Sequence, residues 1–166
     1  MQHVVQEMTD NIHRTATVYE QILDTERHKQ QAIVGNEIDA LGEIVAREEH
    51  LVALATDLET ERLALRDRIA SSDTRLGTNP RLRQVIDLLD GPDREALAQK
   101  HQHLVGLAGQ IHDVNRTNFQ LLRSSLDLLQ GVIDDVFGPS NAPRTYDPAG
   151  RHNPATHSPA RVNHVL

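Results

Sequence analysis

The chain has 166 residues, 38% hydrophobic and 2% aromatic, with no Cys, no Trp and a formal charge of −7. One domain with a modest core follows from that length. The missing cysteines exclude a disulfide framework and a thiolate zinc site, and an acidic balance argues against a nucleic-acid partner, which needs a clustered basic face.

The charge is unevenly placed. From Gly138 onward Arg144, Arg151 and Arg161 stand against Asp147, a net +2, so the body carries −9. Few aromatics with many Leu, Ala, Glu, Arg and Gln suit thin helical packing better than a β fold. The opening residues MQHVVQEMTD have neither a basic nor an apolar signal region. No run reaches the roughly 20 apolar residues of a membrane helix. The expectation is a soluble cytoplasmic protein without direct membrane insertion.

In chain order, Val5, Met8, Ile12, Ala16, Tyr19, Leu23, Glu26, Gln30 and Ile33 recur at threes and fours and predict a helix over about 3–34. Gly35-Asn36 breaks it, with Asn36 as a candidate N-cap and Asp39 in the capping-box position. A second helix over about 37–76 carries the seam Leu41, Ile44, Glu48, Leu51, Ala55, Leu58, Arg62, Leu65 and Ile69, a coiled-coil-like alternation. Gly77 suits the residue after a helix, Asn79 an N-cap and Pro80 a first turn. A short helix follows, with Leu82, Val85, Ile86 and Leu89 on one face. After the turn Asp90-Gly91-Pro92, the longest helix runs from about Asp93 to Phe137, with Asp93 and Glu95 favourably placed in its first turn. Pro139, Pro143, Pro148, Pro154 and Pro159 then prevent helix, and the tail reads as disordered. The predicted fold is all-α: an elongated antiparallel helical bundle or coiled-coil-like hairpin of three long helices and one short one. It divides into a helical domain, 1–137, and a Pro-rich tail, 138–166.

Chemistry finds little footing. His101 and His103 lie about 200° apart on a helix and cannot grip one ion; the other histidines are scattered and read as solvated or seam residues. His103-Leu104-Val105-Gly106-Leu107 lacks the lysine that follows the histidine of a helical phosphotransfer domain. Ser124-Ser125 has no evident base partner, and no Gly-rich phosphate loop occurs. The expectation is a protein that is not an enzyme and takes no cofactor or metal.

The informative stretch is the last third of the long helix. At 100° per residue, Leu121, Leu122, Leu126, Leu128, Leu129, Val132, Ile133, Val136 and Phe137 fill an arc of about 180°, where a surface helix shows little more than about 100°. Arg123, Asp127, Gln130, Asp134 and Asp135 hold the other half. So wide an apolar arc calls for a second helix to cover it. Asn115 and Asn118 fall inside the arc. They are either buried register-setting residues or amides that pair with a partner.

These residues resemble a known pattern. Asn115-x-x-Asn118-x-x-Leu121-Leu122, an amphipathic turn ending near Phe137, and then Thr145-Tyr146-Asp147-Pro148-Ala149-Gly150 look like the C-terminal half of the FlgN-type flagellar export chaperones. Tyr19-x-x-Ile22-Leu23-x-x-Glu26, Asn36-x-x-Asp39-x-Leu41, Glu48-x-x-Leu51 and Leu58-x-x-Glu61-Arg62 are similar to the N-terminal half. Phe119 departs from the pattern, which often has a small residue there. The resemblance, over about 5–150, implies a type III secretion chaperone. It would bind helical termini of hook–filament junction proteins, prevent their premature assembly and deliver them to the export gate. The implied client-binding residues are Asn115, Asn118, Phe119, Leu122, Leu126, Leu129, Val132, Ile133, Val136 and Phe137. Tyr146 would dock on the cytosolic domain of the gate. The alternative is a structural coiled-coil adaptor that self-associates through the same arc.

Overall fold

The computed structural model describes residues 2–73, 75–77 and 80–138. They form four helices and, among the described residues, no strand: α1 (Gln2–Gly35), α2 (Ile38–Ser72), α3 (Leu82–Leu88) and α4 (Gly91–Phe137). The chain divides into two compact units, Met1–Ser124 and Ser125–Leu166, with the boundary inside α4. The expected tail, including Tyr146, lies outside the described residues apart from Gly138.

In the first unit α1 and α2 form an antiparallel hairpin. Asn11 Nδ2 donates to the Leu58 carbonyl at 3.0 Å, Arg14 meets Glu61 at 3.0 Å, and Arg68 meets Glu7 at 2.6 Å. The most extensive close approach of helix backbones, among the described residues, is between this pair. α4 runs parallel to α1 and joins it through side chains. Ala16 and Leu23 cluster with Leu107, flanked by Tyr19, Leu104, Ile111 and Val114.

The main core lies towards the N-terminus of α1. There Met8 and Ile12 pack with Leu65 and Ile69 of α2, Leu82, Val85 and Ile86 of α3, and Leu97 of α4. Met8, Ile12 and Leu97 are fully buried. All four helices therefore share one apolar cluster, on which Leu88 of α3 and the following Leu89 also pack.

Three boundary expectations are corrected. Asn36 is not the N-cap of α2; that position is Glu37, which makes no side-chain cap. Asn36 instead terminates α1 with φ 54°. Its N–H reaches the Ile33 carbonyl at 3.2 Å while Glu37 N–H reaches Ala32 at 2.9 Å, the hydrogen-bond pair of a Schellman end whose left-handed residue is here Asn rather than Gly. α2 stops at Ser72, four residues early, because Asp73 is extended (φ −140°) and accepts the Arg75 N–H at 2.9 Å. The Arg75 guanidinium also donates to that carboxylate, and with the backbone bond it pulls the Asp73 pKa down to about 2. Gly77 therefore does not close the helix. Pro80 precedes α3 rather than entering it: Arg81 is the N-cap, its N–H held by Gln84 Oε1 at 2.7 Å. The proposed cap at Asn79 lies outside the described residues.

Candidate protein-binding surface

The two asparagines of the long helix part company. Asn118 is 1% exposed, and its Nδ2 donates to the Glu26 carbonyl at 2.9 Å and to Glu26 Oε2 at 2.8 Å. Glu26, equally buried, accepts from Lys29 Nζ at 2.9 Å, and Lys29 also reaches Glu48 Oε2 at 2.6 Å. One buried polar network thus ties α1, α2 and α4 at a single level. Burial alone would push the Lys29 ammonium down, but its hydrogen bonds to Glu26 and Glu48 outweigh burial and the net shift is upward. Asn118 lies inside the bundle with its amide nitrogen engaged by Glu26, the arrangement of a register-setting residue. Asn115 is exposed.

Lys29 and Asn11 were missed in the sequence. The signal for Lys29 was present: two acids, Glu26 and Glu48, sit in largely apolar seams and need a cation, and Lys29 follows Glu26 by three. Asn11 is fully buried, and nothing in its spacing marks it. Thr9, Thr15 and Thr25 are also buried, and each satisfies its hydroxyl on the carbonyl four residues back.

Apart from half-buried Leu121, the remaining residues of the arc are open. In the first unit Phe119 is 63% and Leu122 42% exposed. In the second, taken by itself, Leu126, Leu128, Leu129, Val132, Ile133, Val136 and Phe137 are all exposed, from 46% at Ile133 to 83% at Phe137. Consecutive turns of bare Leu, Val, Ile and Phe exceed the scattered apolar residues normal on a surface. Acidic groups border the arc at Asp127 and Asp135.

No comparable chemistry accompanies this surface. Among the described residues no group of three His, Cys, Asp or Glu side chains is placed to hold a metal ion, and no helix is long and apolar enough to cross a membrane. His103 Nε2 meets Glu20 Oε1 at 3.0 Å as an exposed link between α1 and α4.

Compared with curated proteins and with solved structures, the chain has no match. The family model described as FlgN protein matches residues 1–154, nearly the whole chain. The chain belongs to the FlgN family, a family of flagellar export chaperones.

Proposed function

We propose that the protein is a cytoplasmic chaperone that captures the helical C-terminal segments of hook–filament junction proteins, keeps them unassembled and hands them to the flagellar export gate. The client lies along α4, against Asn115, Phe119, Leu122, Leu126, Leu129, Val132, Ile133, Val136 and Phe137. The observation that carries this reading is the exposure of every apolar residue from Leu122 to Phe137. An amphipathic client helix laid on that face withdraws those side chains from water at about 25 cal/mol per Å² before ordering costs. Delivery falls to Tyr146, an aromatic in a Pro-rich stretch suited to a short docking motif.

The test is co-purification with a junction protein's C-terminal helical segment, followed by mass measurement in solution. A one-to-one complex supports the proposal. A stable client-free dimer that buries Leu122 and Leu129 supports the self-associating adaptor instead.

A further inference from the structure

On the α2–α4 side of the hairpin α3 packs at one end, beside Leu65 and Ile69 of α2 and Leu97 of α4, and the trough is the continuation of that side past α3. A pocket of about 250 Å³ opens beside α3, bounded by Leu82 of α3, Tyr19 of α1, Glu59 and Arg62 of α2, and Leu104 and Val105 of α4. The buried network sits further along the same three long helices, linking Glu48 to Asn118 through Lys29 and Glu26. As α2 descends from Glu59 to Glu48, α4 climbs from Val105 to Asn118. The two helices are therefore antiparallel, and their edges can be followed by heptads.

From Glu59, steps of seven along α2 reach Val52, Val45 and Ile38. From Val105, steps of seven along α4 reach His112 and Phe119. Val52 is 50%, Val45 44%, Ile38 72% and Phe119 63% exposed. An α2 edge of three β-branched residues in heptad register, left bare, is a coiled-coil seam without its partner. It is separate from the Leu51–Leu58–Leu65 face that packs on α1.

We infer that this trough is the seat of a fourth helix, supplied by the client, which continues the layer that α3 begins; the inference rests on the chaperone reading above. α3 shows what the trough accepts: it is a helix that buries Leu82, Val85 and Ile86 against α1, α2 and α4. From Val52 to Ile38 the seat is about 21 Å long, or about four helical turns. Its two edges differ in charge. Glu49 lies between Val45 and Val52 on α2, whereas Arg116 and Arg123 flank Phe119 on α4, Arg116 loosely paired with Asp113 at 3.8 Å. The occupant is thus an amphipathic helix with Lys or Arg along the edge beside α2 and Asp or Glu along the edge beside α4. Between Pro139 and Leu166 no run of 14 residues is free of proline, so that stretch of sequence does not encode a four-turn helix.

The experiment measures binding of a fluorescent peptide, the C-terminal helix of a junction protein, by anisotropy. The full chain is compared with V45E/V52E, with L129D and with L54E, Leu54 lying on the opposite flank of α2 beside Val18. Circular dichroism verifies that each variant keeps the helical content and melting temperature of the parent. The seat predicts at least tenfold weaker binding for V45E/V52E and less than a twofold change for L54E. It also predicts that E49K weakens binding of a peptide with basic residues on the α2 edge. Parent-like binding by V45E/V52E while L129D loses the peptide would overturn the seat and leave the chaperone reading intact. No binding by the parent would overturn both. A peptide-free dimer that V45E/V52E dissolves would also overturn it, by making a second copy the occupant.

Discussion

Asn118 Nδ2 lies 2.8 Å from Glu26 Oε2 across the α1–α4 contact, and both residues are almost wholly buried. The same amide caps the Glu26 carbonyl at 2.9 Å. With Lys29 and Glu48 these residues fix how far α4 is slid along the hairpin, because a carboxylate and an ammonium out of water tolerate no other register.

Replacing Asn118 by Leu removes both donors and leaves the Glu26 carboxylate with Lys29 alone. A loss of about 2–3 kcal/mol is expected, read as a lower urea midpoint with unchanged helical content. An Asn118→Asp change places a second acid beside Glu26 and destabilises more.

Lys29→Met leaves Glu48 without its cation and the buried Glu26 carboxylate with the Asn118 amide alone, and costs about 3 kcal/mol or more. The pH dependence follows from the raised Lys29 pKa. Its stabilisation is complete below the unfolded lysine value of 10.5 and disappears as pH rises through the higher folded value. Urea unfolding from pH 8 to 12 therefore shows an alkaline loss of stability in the parent that is smaller in Lys29→Met.

Leu97 is fully buried where all four helices meet. Truncation to Ala opens a cavity there and lowers stability by about 2–5 kcal/mol. Leu129→Ala, at a site 58% exposed, changes stability by less than about 0.5 kcal/mol. Thermal melts of the two variants separate residues that hold the fold from those kept for a partner.

Leu122→Asp, Leu129→Asp and Ile133→Asp each abolish client capture while the circular dichroism spectrum stays that of the parent. Tyr146→Ala, by contrast, leaves capture unchanged and weakens binding to the cytosolic gate domain. Paired pull-downs with client and gate domain check both arms.

Much of the fold was legible because the apolar spacing along each long helix is regular. The arc from Leu122 to Phe137 was legible for the same reason, being too wide for a helix with one covered face. The ends of helices were not. Asn36 suits an N-cap and a left-handed C-terminal position equally, and only the Ile33 and Ala32 carbonyls decide between them. Asp73 ended α2 through Arg75, an interaction local geometry allows but spacing does not announce. Asn115 and Asn118 are alike in sequence; the position of Glu26 on a different helix separates them. The heptad edge of Ile38, Val45 and Val52 was hidden beside a stronger seam.

The proposed function requires that a visiting helix cover the exposed face of α4. Amide hydrogen exchange across residues 115–137, measured with and without the client's C-terminal helical segment, tests it directly, since a helix covered by a partner opens less often. Strong slowing of exchange along this stretch on adding the segment is the predicted result. Saturated binding with exchange there unchanged would contradict it.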